Sequence, residues 1–138
     1  MAARGRKCEQ YVREFFPAWE SRGWLAFKNH KSEHNREGEP FDFTIIKEGQ
    51  CVFLECKETG RGLFRLGSDK RFLKQVNNLE RVRRLGHLGF FVVLFTLQGR
   101  VGIYEPLSVF GGVRIEDSLG KLDSLILGSN SGYELDCN

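Results

Sequence analysis

The chain has 138 residues, 41% of them hydrophobic and 28% charged, with a formal net charge of +3. That length suits one domain with its own core, and the composition excludes a disordered chain. No apolar run is long enough to span a bilayer, and Cys8, Cys51, Cys56 and Cys137 lack zinc-like spacing.

No leader is visible at Met1-Ala2-Ala3-Arg4, so a cytoplasmic protein with reduced, mostly buried thiols is expected. Charge is unevenly spread. Arg4, Arg6, Lys7, Arg13, Arg22, Lys28, Lys31 and Arg36 load the start, and Arg61, Arg65, Lys70, Arg71, Lys74, Arg81, Arg83 and Arg84 the middle. After Pro106 only Arg114 and Lys121 are basic, against five acids. A chain basic through its first two thirds suits an anionic polymer as partner, although any single cation is more simply a solvated one.

Residues 6–16 place Cys8, Tyr11, Val12, Phe15 and Phe16 at helical spacing, with Glu9 beside that stripe. Pro17 should kink the helix or start a new turn, and Gly23 should cap its end. Residues 24–27 read as a short strand. Residues 29–39 are polar, contain His30 and His34, and read as a basic loop.

Residues 40–57 read as two strands joined at Glu48-Gly49, a dipeptide suited to a tight hairpin. That register sets Asp42 opposite Glu55. Alternation gives one face to Asp42, Thr44, Ile46, Cys51, Phe53, Glu55 and Lys57, and the other to Phe41, Phe43, Ile45, Val52, Leu54 and Cys56. Both faces are largely apolar, as in a sheet covered on both sides. Two carboxylates facing each other at ~5 Å repel, and burial raises the cost. A divalent cation reverses the sign, making both acids oxygen ligands, with Lys57 two residues beyond. The alternative is an exposed hairpin with ordinary surface charges.

A glycine-rich connection, residues 58–67, lacks the P-loop pattern, so no nucleotide cofactor is expected. Ser68 or Asp69 then caps a helix running to about Leu85 and stopped by Gly86. Its stripe is Phe72, Leu73, Val76, Leu79, Val82 and Leu85, with Gln75 beside it near the N-terminal end. Residues 89–96 read as a buried central strand and residues 100–104 as another. Residues 106–138 read as a peripheral extension of short helix or loop.

This order of elements resembles the PD-(D/E)xK nuclease superfamily, and most of all the RecU-type Holliday junction resolvases of Gram-positive bacteria and their phages. The resemblance rests on Gly5-Arg6-Lys7-Cys8-Glu9, Phe41-Asp42-Phe43, Phe53-Leu54-Glu55-Cys56-Lys57-Glu58-Thr59, Lys74-Gln75-Val76-Asn77-Asn78-Leu79 and residues 89–95. It spans roughly residues 5–105 of one nuclease domain. Departures are Phe41 between Pro40 and Asp42, Lys74 and Asn78 where histidines are common, and a 29–39 segment short for a junction-inserting stalk.

The resemblance implies an α/β restriction-endonuclease-like core, a central mixed sheet flanked by helices. It implies a Mg2+-dependent endodeoxyribonuclease (or Mn2+), with two ions per site. Asp42, Glu55, Glu9 and the backbone carbonyl of Cys56 would be ligands, with Lys57 and Gln75 catalytic. Arg4, Arg6, Lys7, Lys31, Arg36, Arg61, Arg65, Lys70, Arg71 and Lys74 would contact DNA. The implied substrate is a four-way junction, nicked symmetrically by a homodimer in a bacterial or phage-infected cell, with Phe15, Phe16 and Trp19 as dimer-surface or core aromatics. A VRR-NUC-like or other flap or duplex nuclease with the same site, and a non-catalytic nucleic-acid-binding module, are the alternatives.

Overall fold

Pro17 divides the first helical stretch, as its missing backbone donor requires. In the computed structural model, which describes residues 6–29, 41–67 and 69–127, α1 (Arg6–Arg13) gives way at Glu14 to a second helix, α2 (Phe16–Ser21), with proline in its first turn. Gly23, at φ +94°, ends α2 in the left-handed conformation, and its N–H donates to the Glu20 carbonyl. Strand β1 (Leu25–Lys28) follows, then β2 (Phe43–Lys47), β3 (Gln50–Thr59), α3 (Lys70–Arg84), β4 (Leu88–Phe95) and β5 (Arg100–Tyr104). Two 3-10 turns, Pro106–Gly111 and Ile115–Asp117, lead to α4 (Leu122–Leu127).

The five strands form one mixed sheet in sequential order, parallel only where β3 meets β4. A parallel neighbour needs a crossover, and the 60–87 segment containing α3 supplies it. The β2–β3 register has Lys47 opposite Gln50 and Phe43 opposite Leu54, the hairpin expected from Glu48-Gly49. Both turn residues have positive φ, 47° and 84°, the pairing that lets a two-residue turn match strand twist.

Each face of the sheet carries its own core. Phe43, Ile45, Val52, Leu54, Cys56 and Val92 pack under α1 and α2 with Cys8, Val12 and Trp19. Trp19 is fully buried and Phe15 stacks on it at 5.5 Å, so these aromatics belong to the core. On the opposite face Phe91, Val93 and Phe95 pack under Val76 and Leu79 of α3. Gly89 lets α3 come close, since a Cβ there would lie 2.9 Å from Val82 Cγ2 and 3.0 Å from the Leu79 carbonyl oxygen.

Three expectations change. Phe41 does not share the face of Phe43. It precedes β2, where alternation no longer binds it, and packs on Phe53 at 4.7 Å between ring centroids. Within α3 only Val76 and Leu79 are buried. Leu73 and Leu85 are exposed, Leu85 standing just past the end of the helix as its C-cap. Residues 106–122, expected at the periphery, put Val109, Val113 and Ile115 into one core and Leu122 into the other.

Candidate active site

Strand β3 outruns its neighbour. It pairs with β2 only through Leu54, and Glu55–Thr59 pair with β4 alone. Where β2 departs, Asp42 still donates its N–H to the Leu54 carbonyl at 3.0 Å. Its carboxylate then accepts the Cys56 N–H at 2.8 Å, standing in for a strand carbonyl. An aspartate here satisfies a ladder donor that the departing strand leaves behind.

Asn29, just past β1, fixes that corner. Its N–H donates to the Asp42 carbonyl at 2.8 Å, and Nδ2 donates to the Phe41 carbonyl and to Thr44 Oγ1 at 3.0 and 2.9 Å. A lone asparagine in a polar stretch carries no sequence pattern that would single it out.

Asp42 and Glu55 are 5% and 3% exposed, so the facing pair expected from the hairpin is buried, not a surface decoration. Glu55 Oε2 accepts from Gln75 Nε2 at 2.9 Å and lies 4.0 Å from Lys57 Nζ. Lys57 Nζ also sits 4.5 Å from the Phe72 ring centroid, a cation–π contact that steadies the ammonium. Thus α3 delivers Gln75 and Phe72 onto the face of β3 that carries Glu55 and Lys57. The Cys56 thiol points the other way, into the α1-side core. Burial pushes its pKa well up, reinforced by Cys8 and by the Asp42 and Glu55 carboxylates, so it stays protonated.

Glu9 lines the same cleft, held at 3.4 Å from Lys28 Nζ. Its helix is tied to the site by Glu58, whose Oε2 accepts the Lys7 and Cys8 N–H groups at 2.7 and 3.1 Å. Glu58 therefore satisfies two of the unpaired donors at the start of α1. Its sequence signal was its place beside Glu55-Cys56-Lys57, and its capping role is visible only in three dimensions.

The cleft measures about 1110 Å³, and its lining includes Asp42, Glu55, Lys57, Gln75, Arg61, Arg65 and Arg71. Arg114 lines it too, a residue with no part in the expected site. Arg6, Lys7, Lys70 and Lys74 are exposed and lie outside this lining. Arg4, Lys31 and Arg36 lie outside the described residues, as do His30 and His34.

Among the described residues no three His, Cys, Asp or Glu side chains gather into a metal cage. The donor set still fits a hard cation. Mg2+ is commonly held by one or two carboxylates, with water and substrate oxygens filling the remaining positions. Asp42 and Glu55 would supply the carboxylates, and the Cys56 carbonyl and Glu9 stand at the same cleft.

Among the described residues no helix is long and apolar enough to cross a membrane. No family model matches the chain, and no curated protein does. Among solved structures the chain is similar to Hjc, a Holliday junction resolvase from the archaeal hyperthermophile Archaeoglobus fulgidus. Identity is 14%, with 77% of this chain and 93% of that one covered at a TM-score of 0.48.

Proposed function

We propose that the protein is a divalent-metal-dependent DNA endonuclease that prefers four-way junctions and works as a homodimer. The observation that carries the proposal is the buried Asp42–Glu55 pair, with Lys57 and Gln75 on Glu55, at the floor of an arginine-lined cleft. A binding module needs cations on its surface but has no use for two buried acids beside a lysine. The Glu-x-Lys motif and its resemblance to PD-(D/E)xK nucleases give the same reading.

A metal held by Asp42 and Glu55 would lower the pKa of a bound water and neutralise charge growing on the phosphate. Lys57 would donate to the reacting phosphate or orient the attacking water. Gln75 would hold the Glu55 carboxylate in place, and Phe72 would limit the excursions of Lys57. Arg61, Arg65 and Arg71 would hold the flanking backbone through contacts that carry no base information. Junction preference and two-fold assembly rest on the resolvase resemblance, since paired nicks need two symmetric sites.

The test is cleavage of a labelled four-way junction beside a flap and a matched duplex, in Mg2+, in Mn2+ and in EDTA. Wild type and Asp42→Asn would be compared. Paired symmetric nicks in the junction alone, absent in EDTA and in the variant, are the expected result. Equal cutting of flap or duplex would reassign the substrate, and no cutting in either metal would overturn the proposal.

A further inference from the structure

Beyond β5 the chain returns to the cleft. Phe64 and Val113 exchange two backbone hydrogen bonds of 2.8 Å as an isolated antiparallel bridge, and both side chains enter the core beneath α3. Side chains alternate on either side of such a bridge, and with Phe64 and Val113 inward, Arg65 and Arg114 are exposed. Gly112, at φ +88°, keeps the space open. A Cβ there would stand 3.5 Å from Arg65 Nε and 3.2 Å from Leu63 Cδ1.

The backbone of Arg114 is fastened on both sides. Its carbonyl accepts the Tyr104 hydroxyl at 2.6 Å, and its N–H donates to Asp117 Oδ2 at 2.9 Å. Its side chain therefore leaves a rigid base. Among the described residues Arg61, Arg65 and Arg114 make no ion pair, and Arg71 reaches only the exposed Asp69, at 3.9 Å. Exposed pairs of that kind contribute little. Four arginines on one cleft repel one another. Among the described residues none of them forms an ion pair with the lining acids Glu9, Asp42, Glu55 or Glu58, so a bound phosphate would relieve that repulsion.

The geometry points to Arg114, which lines the cleft with Arg65 on the outward side of the Phe64–Val113 bridge, as a phosphate-holding site for the DNA strand that passes over Asp42 and Glu55. The inference deepens the nuclease reading and rests on it. The ligand is a phosphodiester polymer, because guanidinium forks match phosphate oxygens and the cleft has room for far more than one anion. It makes the segment after Pro106 part of the DNA path.

The experiment is fluorescence anisotropy of the full chain with a labelled junction in EDTA, titrated with salt. Wild type, Arg114→Ala, Arg114→Gln, the Arg65→Ala/Arg114→Ala pair and Arg13→Ala would be measured, each checked for a native thermal transition. Arg114→Ala and Arg114→Gln should both flatten the plot of log K against log salt by about 0.9 and weaken binding about eightfold at about 0.1 M salt. The double variant should flatten it by about twice as much, and Arg13→Ala not at all.

Unchanged slopes in both Arg114 variants, with a wild type that binds and cuts, would overturn the inference and leave the nuclease reading standing. Lowered slopes with a wild type that binds but never cuts would support the site and remove the catalytic reading. A wild type that binds no DNA would overturn both. Equal competition by polyglutamate at matched charge would overturn the phosphate assignment.

Discussion

Gln75 Nε2 donates to Glu55 Oε2 over 2.9 Å, tying α3 to β3 at the carboxylate that also faces Lys57. The other amide atom, Oε1, is buried without a hydrogen-bond partner among the described residues, a position suited to a bound water. Hydrogen bonds to a charged group contribute about 1.5–3 kcal/mol, so Gln75→Ala should slow cleavage by about 10- to 100-fold. Affinity for DNA in EDTA should stay unchanged. Gln75→Glu, setting a second carboxylate against Glu55, should be slower still. Single-turnover cleavage beside anisotropy checks both, and equal losses in binding and rate would remove Gln75 from the reaction.

Lys57→Ala separates chemistry from binding in the same way. Removing one positioned donor to a developing oxyanion typically costs about 10²–10³ in rate. The variant should bind the junction as wild type does and lose cleavage by that factor. Lys57→Arg should not restore it, because a planar guanidinium stacked on the Phe72 ring would not place a single compact charge where the ammonium stands, 4.0 Å from Glu55 Oε2. A parallel fall in affinity would place Lys57 on the DNA path instead.

Gly89→Ala tests the support beneath the site. The new methyl would meet Val82 Cγ2 and the Leu79 carbonyl, and overpacking of this kind costs about 1–3 kcal/mol. Because α3 carries Gln75, cleavage should fall along with stability. Denaturant unfolding and cleavage assays on one preparation check this. A destabilised variant with full activity would show that α3 shifts without moving Gln75.

How much of this was legible beforehand differs from residue to residue. The hairpin register followed from one turn at Glu48-Gly49, and it brings Asp42 and Glu55 to the same cleft. Periodicity showed Gln75 only as a polar residue beside a stripe, and the nuclease resemblance alone gave it a role. A crossover helix had to be laid over β3 before its partner appeared. Periodicity overstated the buried width of α3, because it reports the helix and not the sheet below. Asn29 and Arg114 carried no local pattern, and Glu58 was marked only by its place beside Glu55-Cys56-Lys57. Each acts through a partner distant in the chain: Glu58 caps a helix about 50 residues earlier, and Arg114 reaches the cleft through Phe64.

Tyr104 makes a pH prediction with a definite sign. Burial pushes its phenol up to about 12, with Asp117 and Glu116 adding to the shift, while its hydroxyl donates to the Arg114 carbonyl. The unfolded chain releases this proton near pH 10.0 and the folded chain only near about 12. Between those values the folded state holds more protons, so the stabilisation present below pH 10.0 is lost as pH rises toward about 12. Unfolding midpoints should fall across that window in wild type, and less steeply in Tyr104→Phe. Identical slopes would show that the phenol titrates normally.

The one parallel pairing in the sheet also sets an order in time. Asp42 and Glu55 are brought to one cleft by a local hairpin, which closes quickly, whereas Gln75 must wait for the crossover that docks β4 beside β3. The Phe64–Val113 bridge spans a longer loop again. During folding the two acids are thus assembled before the arginines that would hold a substrate, so a partly formed domain would hold its ligating acids without its grip on DNA. Pulse-labelled hydrogen exchange should find β2–β3 amides protected before that of Val113, and the reverse order would refute this sequence of events.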